Sequence, residues 1–268
     1  MSAKSNRLAT LKAAHPTCYF CATAPSATED HVPSRECFRD RIAPEGFAFG
    51  ACKRCNNSAG QWEQAVALTL LLADHSDALP SGKQFEKLVT GVANNNPELM
   101  PKILKGPKAA RHHFRAKGLW LSPGTTFAET TILELPAEMR AAFKLFARRL
   151  TCAIFYKEVG YPLPLDWIMA VAWSPWSEPA THKAADVSNN LFPEYVLTGR
   201  RNTNIGEQFR YRWGFHPEGN LFGFAAQFSK AYLIFGCAVA PSLHKGEDGW
   251  EPHSSDFPTG RNVSPLNN

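Results

Sequence analysis

The sequence predicts an α+β fold: a small cysteine-stapled unit at the N-terminus, helices after it, and a C-terminal mixed α and antiparallel-β region. Three observations carry this. Two Cys-x-x-Cys pairs, Cys18/Cys21 and Cys52/Cys55, bracket thirty residues. Behind Pro136, the apolar positions Met139, Phe143, Phe146, Leu150 and Ile154 recur at helical spacing. Near the end, FRYRWGF, LFGFAAQFS and KAYLIFGCAV are aromatic and aliphatic runs separated by turn residues, the pattern of an antiparallel meander.

The elements follow in chain order. KSNRLATLKAA predicts a short leading helix that ends at His15-Pro16, since a residue before proline avoids the helical region. EDHV and FAFGA predict two short strands, with the irregular loop PSRECFRDRIAPEGF between them. SAGQWEQAVALTLLLADH predicts a helix directly after the second cysteine pair. Residues 81–117 predict further helices broken at Pro97, Pro101 and Gly106-Pro107. LWLSPGTTFAETTILEL predicts a strand pair turning at Pro123-Gly124, and Pro136 to Gly160 frame one long helix. Arg140, Lys144 and Arg148 form a stripe read as ordinary helix surface. LDWIMAVAW predicts a buried strand, with a short helix as the alternative, and SPWSEPATHKAADVSN a loop. The domain assignment is 1–78 for the cysteine-stapled unit, 79–241 for a helical and antiparallel-β domain, and 242–268 for a polar, disordered tail.

Composition narrows the class. With 44% hydrophobic and 20% charged residues, the 268-residue chain holds enough apolar material for a real core. A net charge of +5 permits nucleic-acid binding without requiring it. MSAKSNRLATLKAAH lacks the sustained apolar stretch of a signal peptide. The longest apolar runs, AVALTLLLA and AYLIFGCAVA, reach half of the ~20 residues a membrane span requires. A reducing cytoplasm and no membrane partner are therefore expected. In that compartment paired cysteines read as metal ligands rather than disulfides, and Cys37, Cys152 and Cys237 as small buried residues.

Each Cys-x-x-Cys turn offers two thiolates, and two turns complete a tetrahedral Zn²⁺ site. Inside the stapled loop lies Asp30-His31, and Asn56-Asn57 follows the last cysteine. These oxygen and nitrogen groups suit a second, harder metal and a general base. Adjacent strand residues point to opposite faces, so Asp30 and His31 cannot both face one site unless the strand ends or distorts there. Downstream, Lys102, Lys105, Lys108, Arg111 and Arg115 form a basic segment, read either as a solvated helix face or as phosphate contacts to DNA.

The strings EDHVPS and ACKRCNNS, in the order Cys-x-x-Cys, Asp-His, Cys-x-x-Cys-Asn, resemble the HNH (ββα-metal) endonucleases. The closest likeness is to their zinc-knuckle branch of phage junction-resolving enzymes, and it covers residues 15–75. The resemblance implies a zinc-stapled ββα-metal unit with structural zinc at Cys18, Cys21, Cys52 and Cys55. It implies His31 as the general base, with catalytic Mg²⁺ or Mn²⁺ on Asp30 and Asn56. Asn57 is the register rival of Asn56. Glu63 is a third ligand or a surface carboxylate, and Arg35 and Lys53 are phosphate contacts or plain surface cations. The middle Asn that gives the family its name has no counterpart in FRDRIAPEGFAFG. The expected activity is metal-dependent hydrolysis of DNA phosphodiesters, RNA being open, with a homodimer favoured for a double-strand cut. The alternative is a zinc-scaffolded nucleic-acid-binding protein without catalysis.

Overall fold

The structure is a computed structural model that describes residues 3–253, apart from 59, 75–80, 122, 131, 198, 201–202, 217, 219 and 247. Helix α1 (Ala3–Ala14) leads to the cysteine-stapled unit. That unit consists of strand β1 (Thr28–His31), two 3-10 turns (Arg35–Cys37 and Arg39–Arg41), strand β2 (Ala48–Ala51), the short helix α2 (Lys53–Asn57) and helix α3 (Gly60–Leu72). β1 and β2 pair antiparallel, with Asp30 opposite Phe49 and His31 opposite Ala48.

Helices α4 (Gly82–Asn95), α5 (Leu99–Ile103) and α6 (Pro107–Lys117) follow. A two-residue pairing between β3 (Leu104–Lys105) and β4 (Ile132–Leu133) ties this segment to the start of the long helix α7 (Ala137–Val159). α7 stops because Gly160 takes a left-handed conformation, φ +94°, that a residue with a Cβ adopts only under strain.

The C-terminal region is a six-stranded antiparallel sheet. Its strands are β5 (Ile168–Pro175), β6 (Glu194–Leu197), β9 (Phe209–Phe215), β10 (Leu221–Phe228), β11 (Tyr232–Val239) and β12 (Glu251–Pro252), in the order β12-β5-β11-β10-β9-β6. Helix α8 (Pro179–Leu191) connects β5 to β6, and the small pair β7 (Gly199–Arg200) and β8 (Thr203–Asn204) precedes β9.

Alternation along the strands assigns the two faces of this sheet. Phe222, Phe224 and Phe228 of β10 and Tyr232 and Ile234 of β11 are buried on the α7 side, where Phe143 meets Tyr232 and Trp173. The hairpin packs on that side as well, since Phe47 stands edge-on to Phe209 and Tyr211. Each buried aromatic or aliphatic side chain contributes about 1.5–3 kcal/mol. The buried residues of the stapled unit and of the C-terminal sheet form one continuous core. The expected boundary at 78/79 lies outside the described residues, and the packing on either side of it is shared.

Five expectations are corrected. The strand pair at 119–135 is absent among the described residues. A 3-10 turn (Phe127–Glu129) stands there, and Ile132–Leu133 pairs with Leu104–Lys105 instead. Pro101 does not break a helix, because it lies in the first turn of α5, where no intrahelical N–H is needed. SPWSEPATHKAADVSN is no loop: Pro179 at the first helical turn starts α8. Nor is the tail free from Ser242 onward. β12 pairs with β5, Lys144 and Arg148 both bond the Glu251 carboxylate, Arg148 also donates to the Pro252 carbonyl (2.7 Å), and His253 is buried. Arg148 is accordingly buried rather than part of a surface stripe. Residues 254–268 lie outside the described residues.

Candidate metal centre and the hairpin beside it

The first cysteine turn is closed by backbone bonds from Cys18 N–H to Ala24 O and from Ala22 N–H to Cys18 O, with Ala22 at φ +54°. The second opens α2: Cys52 caps that helix, its Sγ accepting from the Cys55 N–H (3.4 Å). The two turns bring the Sγ atoms of Cys18, Cys21, Cys52 and Cys55 within 4.8 Å of one another, all buried. A tetrahedral Zn²⁺ with Zn–S near 2.3 Å needs sulfurs about 3.8 Å apart. This donor set fits, and the group could hold a metal such as zinc. The thiols already perturb one another. A bond with Cys55 brings the Cys18 thiol down to about 4, while Cys18 and burial drive Cys55 upward.

β1 presents its residues to opposite sides. Asp30 points inward and is 4% exposed, while Glu29 and His31 are only partly covered. Asp30 Oδ2 accepts from the Tyr19 hydroxyl (2.9 Å) and pairs with Arg149 of α7. Arg149, 1% exposed, also donates from Nη1 to the Cys55 carbonyl (2.7 Å), lies 3.4 Å from Glu63 and stands 5.4 Å over the Phe20 ring. One guanidinium thus joins the strand, the end of the cysteine turn and α3. Burial works against the Arg149 charge, but Asp30, Tyr19 and Glu63 more than compensate, so the group stays ionised. Burial raises Asp30, opposed by Arg149 and the Tyr19 bond, and lifts Glu63 to about 7. Glu63 is therefore no surface carboxylate: its side chain is 15% exposed and engaged by Arg149.

On the open side, Arg35 Nη2 lies 2.6 Å from His31 Nε2, and Glu29 Oε1 is 3.8 Å from the same nitrogen. With the guanidinium donating, the imidazole is neutral at Nε2 and its proton sits on Nδ1. Asn56, in α2, turns back to the hairpin: its Nδ2 donates to Thr28 Oγ1 (2.9 Å) and to the Glu29 carbonyl (3.2 Å). Asn57 and Lys53 are exposed on the same short helix. Val32, just past β1, bonds from its N–H to the Phe47 carbonyl (3.2 Å), and a cis Val32–Pro33 bond follows.

The structure therefore brings Cys18, Cys21, Cys52 and Cys55 together and places Asp30, His31 and Asn56 around one hairpin, with Asp30 and His31 on opposite faces. A hard divalent ion does not fit Asp30 as it is held, because Oδ2 already serves a phenol and a buried cation. In the basic segment, Lys102 pairs with Glu138 (2.6 Å), Lys105 approaches Glu134 (3.9 Å) and Arg111 lies over the Phe127 ring. Lys108 and Arg115 stand on α6.

Arg149 is the residue that sequence reasoning missed. A signal existed: Ala142, Phe146, Arg149 and Ala153 form one buried stripe of α7, and an arginine on such a stripe demands a buried carboxylate. No helix among the described residues is long and apolar enough to cross a membrane. The chain matches no protein-family model, no curated protein and no solved structure.

Proposed function

We propose that this chain is a DNA endonuclease of the HNH (ββα-metal) type, with His31 as the general base. One observation carries the reading. A four-sulfur cluster staples an antiparallel strand pair to a helix, and the histidine that ends the first strand lies on the part-open side of that unit. Asn56, next to the last cysteine, hydrogen-bonds to the same strand. A neutral imidazole takes a proton from water near neutral pH through the lone pair on its unprotonated nitrogen. In the substrate-free state that lone pair faces Arg35. A phosphodiester oxygen is a stronger acceptor for a guanidinium than imidazole is, so substrate draws Arg35 onto the phosphate and frees Nε2. Arg35 then stabilises the charge that builds on phosphorus. This reading places no Mg²⁺ or Mn²⁺ on Asp30 and Asn56, because Tyr19 and Arg149 hold the Asp30 carboxylate.

The Asp30–Arg149 pair favours a second reading, a zinc-scaffolded nucleic-acid-binding protein without catalysis. End-labelled duplex, four-way junction and single strand, incubated with Mg²⁺, Mn²⁺ or EDTA, separate the two. The first reading expects product with wild type and loss with His31→Ala. Salt-sensitive binding with no product on any substrate supports the second.

A further inference from the structure

We propose that the face of the C-terminal sheet turned away from the hairpin carries a nucleotide-binding pocket that takes one base, with its phosphate, from a single-stranded nucleic acid. It stands independently of the reading of His31.

Strand alternation explains why a pocket forms there. Phe209 and Tyr211 of β9 point into the core, so Arg210 and Arg212 point to the α8 side. Opposite Arg212 on β10 is Ala225, and α8 presents Ala185 and Ser188 above it. Small residues on both layers leave a cavity of about 350 Å³ between helix and sheet. Ligand sites start at about 300 Å³, so the space suits a single nucleotide rather than a larger cofactor.

The walls have the chemistry of a base-and-phosphate site. The Arg212 guanidinium lies 4.7 Å over the Tyr195 ring, and that tyrosine is 43% exposed. Trp176 lines another wall, its ring 4.6 Å from His182. Flat aromatic rings and guanidinium planes are the surfaces on which unpaired bases stack. Arg210 is held in place by two bonds, from Nε and Nη2 to Gln227 Oε1 (3.0 and 2.8 Å), and Gln227 is anchored in turn by its Nε2 bond to the Ser229 carbonyl (2.8 Å). Among the described lining residues, the guanidiniums of Arg210 and Arg212 outnumber the carboxylate of Asp186, so the lining is net positive, which suits a phosphodiester. Duplex DNA keeps its bases stacked inside, so the pocket selects unpaired strands, ends or loops.

The test uses the full zinc-loaded chain. Fluorescence anisotropy of a labelled twelve-nucleotide single strand is measured with wild type, Tyr195→Ala, Arg212→Gln and, as a control, Lys12→Gln on the exposed side of α1. Unlabelled duplex, a mononucleotide and inorganic phosphate serve as competitors. Tyr195→Ala is expected to weaken binding about 10-fold, in line with loss of one stacked base. Arg212→Gln is expected to lower the salt slope by about one. Thermal melts confirm that both variants fold, and Lys12→Gln binds as wild type does. A free mononucleotide that competes while duplex does not supports the pocket. Inorganic phosphate competing as well as the mononucleotide overturns base recognition, and so does wild-type affinity in folded Tyr195→Ala. Absence of cleavage with the Tyr195 effect intact removes only the nuclease reading.

Discussion

Replacing Arg149 with methionine tests the most connected charge in the molecule. The substitution keeps much of the volume and removes a guanidinium that is 1% exposed and serves Asp30, Glu63 and the Cys55 carbonyl at once. Asp30, 4% exposed, is left as a buried carboxylate that keeps the Tyr19 hydroxyl and loses its cation. Breaking a buried pair from one side costs about 3–5 kcal/mol. At roughly 2–4 °C per kcal/mol for a chain near this size, the melting temperature falls by roughly 6–20 °C. Asp30→Asn alone costs less, because Glu63 still faces the arginine. In the double variant the two costs do not add: the coupling amounts to about 2 kcal/mol, as for residues sharing one network. The assay is urea unfolding followed by circular dichroism with zinc held constant. A loss below about 1 kcal/mol in Arg149→Met, or strict additivity, would refute the claim that this guanidinium binds the hairpin to α7.

Three further outcomes are expected. Metal analysis of the purified chain gives one zinc per molecule. Cys55→Ser or a strong chelator removes it and exposes β1 and β2 to hydrogen exchange, because the four sulfurs close that unit. His253 is buried, and burial lowers its imidazole to about 4. The unfolded chain therefore binds the extra proton first, and stability falls as pH drops from about 6.5 to 4, by up to about 3 kcal/mol. His253→Leu flattens that slope in urea unfolding at pH 4.5 and 7. Gly236→Ala places a Cβ 2.3 Å from both Thr151 Oγ1 and the Phe224 ring, where α7 presses on β11, and costs about 1–3 kcal/mol by overpacking.

The parts of the fold readable in the sequence are those with local signals. Cys18/Cys21 and Cys52/Cys55 announce their turns by spacing, α7 by its three-four apolar pattern and terminal glycine, and β9 to β11 by aromatic runs between turn residues. What failed depended on distant partners. α8 carries few large apolar residues, because it covers only part of the sheet and leaves a cavity beneath. β12 exists because Lys144 and Arg148 meet Glu251 more than a hundred residues away, which no local pattern encodes. The same holds for the candidate site. His31 and the cysteines stand out in sequence, but the cation that engages Asp30 comes from position 149, on a helix read as surface and core alone.

Single-turnover cleavage with protein in excess, at fixed Mn²⁺, tests the reading of His31 most directly. Wild type should cut its preferred DNA about 100- to 10,000-fold faster than His31→Ala, the range a positioned general base supplies. Equal metal-dependent rates from the two proteins, both folded and both zinc-loaded, would contradict it.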